Sequence, residues 1–339
     1  EADKFPYVIS IPDSLLILGE HYFDLGESVF FSNSNVYSVT IFCKDLFGYD
    51  SNKPTIDSIH FDISPPILSL DYPNEGSFLN NYIYSYSSNE SLSSAEMKWV
   101  NTGGATDSFS PHILNLGREK LTAGDSTQFI FDSTLTLVDS AQYKLTFTGY
   151  DLALNKSDSV HIEDITFDIS SPVFSNVLPQ SNSYINAVGL FYSVSEELKK
   201  GAVHFIHVDG KSDSQSPHLL TLSEEMLSKG RHDAVSFNNY GFLSDSSIYR
   251  VELSGDDLAG NSANILELFN VTFDISSPII SDVIPEEKSF VKTDSFWYSI
   301  SEDLMVGSYA LMNMQGDTVA FSDFGDELLT IGPHIGSLS

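Results

Sequence analysis

One short stretch occurs three times in this chain at a fixed interval. It reads Phe61-Asp62-Ile63-Ser64-Pro65, then Phe167-Asp168-Ile169-Ser170-Ser171-Pro172, then Phe273-Asp274-Ile275-Ser276-Ser277-Pro278, and successive aspartates are 106 residues apart both times. A period of that length, kept without slippage, is one domain per repeat, because solenoid units run about 20 to 50 residues. Proline cannot donate to a β ladder, so each copy reads as a strand end followed by a handover to the next domain. The chain therefore divides into 1–63, the C-terminal half of a domain; 64–169 and 170–275, two complete domains; and 276–339, the N-terminal half of another.

Other positions keep the register. Tyr37, Tyr143 and Tyr249 each open an alternating run that ends at Asp45, Asp151 and Asp257, and Tyr86, Tyr192 and Tyr298 each precede Glu90, Glu196 and Glu302 by four residues. Within a complete repeat, short runs rich in Val, Ile, Phe, Tyr and Thr alternate with Asn, Asp, Gly, Pro and Ser clusters, which is the pattern of an all-β domain. In the second complete repeat, strands are expected near 172–178, 188–195, 202–208, 217–222, 233–238, 248–255 and 264–273, with one helical turn in 222–229. Seven strands in a domain of this size predict an immunoglobulin-like β-sandwich, repeated in an extended array. Trp99, Phe205 and Leu311 fall where the third strand buries its core residue, and Tyr143 and Tyr249 follow the polar corners Asp139 and Asp245 as a tyrosine corner does. Pro6 and Pro333-His334 align with Pro111-His112 and Pro217-His218, which places about ten extra residues between Tyr298 and Pro333, in an enlarged loop around 321–327.

Charge narrows the functional classes. With 16 Lys+Arg against 47 Asp+Glu, the net charge of -31 repels nucleic acid and anionic membrane surfaces and favours cations. The single cysteine, Cys43, lies at an inward-facing position of its strand, so a buried thiol is expected and an intrachain disulfide framework is excluded. No apolar run is long enough to insert into a membrane. A start within a repeat and without Met reads as a processed chain or a window on a longer one.

The succession of Tyr-x-x-x-Glu, an aromatic on the next strand, Ser-Pro-His, a Tyr-initiated strand ending in Asp-Leu-Ala-Gly-Asn at Asp257 to Asn261, and Phe-Asp-x-x-x-Pro resembles the bacterial Ig-like tandem repeats of large secreted surface proteins and adhesins. Two copies depart from the loop motif: Leu154 stands in place of Gly, and Tyr49 in place of Asn. The resemblance implies an extracellular, cell-surface protein built from such domains.

In that topology the loops after the second and sixth strands gather at one end of the sandwich, beside the entering chain. Asp62 is thereby expected next to Glu90 and Asp151, Asp168 next to Glu196 and Asp257, and Asp274 next to Glu302, with Asn155 and Asn261 within reach of the first two sets. Clustered carboxylates repel one another unless protonated or bridged, and an oxygen-only donor set at an irregular junction suits Ca²⁺. An Asp before Ser-Pro and an Asp before Gly-Asn are also ordinary turn residues that need no metal. Spaced His or Cys ligands for zinc, a nucleophile elbow, a phosphate loop and a His-Glu metalloprotease pattern are all missing from the sequence.

The leading expectation is a non-enzymatic stalk or extender segment of a bacterial surface adhesin, stiffened by Ca²⁺ at its junctions. Its partners would be further repeats or neighbouring copies, and a surface glycan or cell-surface receptor at the distal end. One alternative is a filament or sheath subunit that polymerises head to tail, two half-domains completing one sandwich. Another is a set of carbohydrate-binding accessory domains using Tyr82, Tyr84 or Trp297 as exposed aromatics.

Overall fold

A computed structural model describes residues 7–22, 31–125, 129–130, 135–236 and 243–337. The chain separates into two compact units, one of residues 1–171 with 258–261 and the other of residues 172–257 with 262–339. Among the described residues the regular structure is strand, interrupted by single 3₁₀ turns, and no helix is long and apolar enough to cross a membrane.

The first unit opens with the hairpin β1 (Asn35–Thr40) and β2 (Thr55–Phe61), which belongs to the half-repeat 1–63. The complete repeat follows as β3 (Leu68–Tyr72), β4 (Phe78–Leu79), β5 (Ile83–Ser88), β6 (Leu92–Gly104), β7 (His112–Asn115), β8 (Gly124–Asp125), β9 (Phe129–Ile130), β10 (Ala141–Asp151) and β11 (Val160–Phe167). One sheet runs β4-β11-β10-β6-β7, and the other places β5 between β3 and β8, with β9 also on β5. Alternation along β10 is strict: Ala141, Tyr143, Leu145, Phe147 and Gly149 are buried and the residues between them are not, as a strand with one face on a core requires. Those side chains close on Trp99, Met97, Tyr84, Tyr86, Ile165 and Phe167 from the facing strands.

The second unit repeats the plan with β12 (Phe174–Leu178), β13 (Tyr184–Ile185), β14 (Gly189–Val194), β15 (Leu198–Gly210), β16 (His218–Thr221), β17 (Gly230–Ser236), β18 (Ser247–Asp257) and β19 (Leu266–Phe273). Sheets β12-β14-β17 and β13-β19-β18-β15-β16 enclose Tyr192, Phe205, Tyr249, Val251, Leu253 and Val271. Each strand expected from sequence is present, and the turn in 222–229 is the 3₁₀ turn Glu224–Met226; residues 237–238 of the expected fifth strand lie outside the described residues. The first strand is broken in two, so that β12 joins one sheet and β13 pairs in parallel with β19 in the other. The half-repeat at the end supplies β20 (Ile280–Ile284), β21 (Ser295–Ile300), β22 (Ser308–Met312), β23 (Thr318–Asp323) and β24 (Gly332–Ser337), as sheets β20-β21-β24 and β22-β23.

A bulge recurs where the Tyr-initiated strand meets its hairpin partner. The register shifts after Tyr37, Tyr143 and Tyr249. Opposite each shift a polar residue takes positive φ: Ser58 (60°), Asp164 (56°) and Asn270 (55°). A short polar side chain tolerates that conformation and re-aims the strand.

Three expectations are corrected. Pro333-His334 is the counterpart of Arg231-His232, not of Pro217-His218. Gly332 adopts the positive φ of Gly124 and Gly230, and Leu304 N–H donates to the Leu329 carbonyl as Leu92 does to Leu121 and Leu198 to Leu227. Residues 321–327 consequently hold no enlarged loop but the end of β23 and the start of a 3₁₀ turn at Asp326–Leu328. Cys43 is exposed, because among the described strands β1 and β2 have no facing layer, whereas its counterparts Gly149 and Gly255 are buried. Leu311 is exposed, its strand β22 pairing with β23 alone among the described strands, while Trp99 and Phe205 are core residues as expected.

Candidate functional site

The handover stretch is bound on both sides within the first unit. From the half-repeat, Asn33 accepts from the Ile63 N–H at 2.8 Å and donates to Ser64 Oγ. From the complete repeat, Asn155 Nδ2 donates to the Asp62 carbonyl at 3.0 Å, and Asn89 Oδ1 accepts from the Ile67 N–H at 2.7 Å. Asp62 folds its own carboxylate onto the Ser64 N–H at 2.9 Å, the turn that Asp forms before Ser-Pro. Asp139 does at the next copy what Asn33 does here, accepting from Ile169 N–H (2.8 Å) and Ser170 Oγ (2.7 Å), and Asp245 does the same for Ile275 and Ser276. These donors, the Ile169 and Ile275 N–H groups foremost, hold both carboxyls below the usual range. The sequence marked Asp139 and Asp245 as corners of the strand only; their recurrence four residues before Tyr143 and Tyr249 gave no sign of the clamp they form across a strand pair.

The carboxylates of Asp62, Glu90 and Asp151 come together as expected: one oxygen from each lies within 4.8 Å of the others. Asp151 ends β10 fully buried, and both its oxygens accept from Asn155, from N–H and from Nδ2, each at 2.8 Å. Glu90 sits half-buried in the turn after β5, and its carboxyl is pushed up, first by lost solvation and then by repulsion from Asp62 and Asp151. Each carboxylate oxygen has two lone pairs, so Asp151 satisfies Asn155 and still faces the cluster as a donor. Three carboxylates and a backbone-rich turn are the oxygen donors a hard cation takes.

The residues of the second set are placed in two units. In the first, the Asp168 carbonyl accepts from Asn261 Nδ2 at 2.9 Å and Asp168 Oδ1 accepts from the Ser170 N–H at 3.0 Å. In the second, Asp257 is buried at the end of β18, and Glu196 is half-buried in the turn after β14. Asp256, beside it in sequence, is taken up by Lys200 at 2.9 Å. Of the third set, Asp274 and Glu302 meet: lost solvation and then a hydrogen bond to the Asp274 carboxylate raise the Glu302 carboxyl. Asp303 turns away to accept from the Ile331 N–H at 2.7 Å.

A second acidic centre, which the sequence reading missed, lies inside each complete domain. Tyr143 Oη donates to Asp107 Oδ2 at 2.7 Å, His112 Nε2 bonds the same oxygen, and the Phe109 N–H reaches Oδ1 at 2.9 Å. The other domain has Tyr249 (2.6 Å), His218 (2.6 Å) and the Gln215 N–H (3.0 Å) on Asp213. Burial pushes these carboxyls up, but the hydrogen bonds outweigh it and hold Asp107 low and Asp213 at about 2. The signal available was an Asp three residues before Ser-Pro-His in both repeats. The aromatics proposed as an exposed platform are also resolved. Tyr84 is buried, Tyr82 stacks on Phe167 at 5.2 Å, and of the three only Trp297 is exposed.

No family model and no curated protein matches the chain. Among solved structures, a tetra-tandem repeat in the extending region of a large adhesion protein aligns at 13% identity and TM-score 0.27, covering 88% of this chain and 72% of that one. The FN1–FN3 domains of chicken CNTN1 align at 12% identity and TM-score 0.34, covering 70% and 77%. Likenesses at this level carry no functional inference.

Proposed function

We propose that this chain is a non-enzymatic extender: Ig-like sandwiches joined by latched handovers in an extracellular surface stalk, with Ca²⁺ seated on the junction carboxylates. The observation that carries the reading is the handover at Asp62, whose backbone is hydrogen-bonded both to the half-repeat before it and to the domain after it. A linker meant to flex would leave those groups to water. Asp62, Glu90 and Asp151 would hold the ion, with the Asn155 amide orienting two of them; by repetition of sequence the same roles fall to Asp168, Glu196, Asp257 and Asn261, and to Asp274 with Glu302. The ion would remove the repulsion that raises Glu90 and add a cross-link between handover and domain.

Small-angle scattering of the chain in calcium and in chelator tests this. The expected result is a long maximum dimension that lengthens with calcium. Superimposed curves remove the calcium part, and a compact particle in both buffers removes the stalk. Calorimetric titration with CaCl₂ reads the binding itself, and its loss in Glu90→Gln assigns the first site.

A further inference from the structure

We propose that the outer face of the sheet β20-β21-β24 carries a binding site for a small quaternary ammonium cation, seated on Trp297 and charge-paired with Asp282. The face follows from strand alternation. Along β21, Tyr298 and Ile300 are buried on the core side, so Trp297 lies on the opposite side, where it is 41% exposed. Ile284 pairs with Trp297, and Trp297 with Ile335, which lays an apolar row across the three strands. Exposure of this row belongs to the finished fold. In the complete domain the same row is Leu178 paired with Phe191, and these are 45% and 38% exposed on the outer face of β12-β14-β17.

A bulge supplies the charge. The register of β20 shifts between Ser281 and Ile284, and Asp282, inside the shift, takes a positive φ of 49°. A bulge re-aims the side chain it carries. Here Asp282 joins Ile284, Trp297, Ser299, Pro333 and His334 in the lining of one open cleft of about 460 Å³. Small-molecule sites run from about 300 to 1,000 Å³. Ser281 Oγ donates to Asp282 Oδ2 at 3.0 Å, and His334 Nε2 is bonded to the Thr330 carbonyl. The complete domains keep the row without this pairing of charge and indole. At the place of Asp282 the second has the neutral Asn176, with φ of 51°, and at the place of Trp297 the first has Ser85, paired with Tyr72.

The lining selects the class of ligand. It is mainly apolar, and among the described residues it holds no lysine or arginine to neutralise Asp282. A saccharide is hydroxylated on every side and needs several hydrogen-bonding partners, which such a lining does not supply. An anion is repelled by Asp282 and by the net charge of -31. A trimethylammonium group satisfies both halves of the cleft. Its methyl groups pack on Ile284 and Pro333, its positive charge is drawn to the indole face and to the carboxylate, and it has no N–H that needs an acceptor. Choline is the simplest such ligand. The inference goes beyond the stalk reading and stands with or without an ion on the junction carboxylates.

Titration of the full chain with choline chloride in exchange for sodium chloride, at about 0.15 M total salt, tests it by tryptophan emission and by calorimetry. A saturable change in emission at millimolar choline is expected. Trp99 is buried in a core, so the response belongs to Trp297. Trp297→Ala should abolish the emission change and weaken calorimetric binding about tenfold, and Asp282→Asn should weaken it about fivefold. Both positions are exposed, so the thermal transitions should stay in place. The neutral isostere dimethylbutanol, with a tert-butyl group where choline has trimethylammonium, should bind about tenfold more weakly. Equal binding of the isostere overturns the proposal, as does a choline response that survives Trp297→Ala or the lack of any saturable response. Binding of glucose or of a proline-rich peptide without binding of choline overturns it too.

Discussion

Each complete domain handles acid groups in two opposite ways. At Asp213 one buried carboxylate faces three donors, from Tyr249, His218 and the Gln215 backbone, and its pKa sits at about 2. At Asp62, Glu90 and Asp151 three carboxylates face one another, and Glu90 is raised although the Ser64 N–H, Asn155 and Asn89 donate to the cluster. The first centre is completed by the protein and serves as a weld between the loop before β16 and the tyrosine at the start of β18. The second sets three carboxylates against one another, the repulsion that raises Glu90 and that the proposed Ca²⁺ would relieve. The same side-chain chemistry thus fastens the inside of the domain and gathers like charges at its end.

Breaking the internal weld should have the largest effect. Asp213→Ala removes the buried acceptor shared by Tyr249 and His218, so a loss of about 3 kcal/mol in urea unfolding is expected. The same contrast has a pH form. A depressed carboxyl stabilises the fold fully above its unfolded value near 3.8, and the contribution disappears as pH falls through about 2. About 2 kcal/mol should be lost across that window in acid titrations followed by circular dichroism, and Asp213→Asn should abolish the dependence at this position. Tyr249→Phe comes next: it deletes the donor to Asp213 and the acceptor of the Ser244 N–H, at about 1 kcal/mol. If Tyr249→Phe cost as much as Asp213→Ala, the tyrosine and not the carboxylate would be the anchor.

The fold was legible because its signals are local and repeated. Period-two alternation along Tyr143 to Phe147 and Tyr249 to Leu253 needs no tertiary knowledge, and a register kept over 106 residues corrects misreadings of single strands. The acidic junction was legible for a related reason: topology alone gathers those loops. What the sequence hid was hydrogen-bond geometry across distance. Asp107 and Tyr143 are 36 residues apart, and nothing in either segment shows that the hydroxyl reaches the carboxylate. The misplacement of Pro333-His334 had another cause, a dipeptide match outweighing a backbone requirement; the positive φ of Gly332, shared with Gly124 and Gly230, is the stronger alignment signal because few other residues take it without strain.

The junction itself offers the smallest effect and the sharpest sign. A carboxyl whose folded pKa is raised costs stability as pH rises through that value, so at neutral pH and without calcium an ionised Glu90 works against the fold. Glu90→Gln removes that charge and should raise the melting temperature in chelator by about 2 to 4 °C, the shift expected of about 0.5 kcal/mol in a domain of this size. Near pH 3, below the ordinary glutamate value of 4.5, the carboxyl is protonated in both states and the variant and the parent should melt together. In calcium the order should invert, because the charge that repelled its neighbours has become a ligand. An increase of the same size in both buffers would show that Glu90 only repels, and that the junction is fastened by Asn33, Asn155 and their backbone partners without an ion.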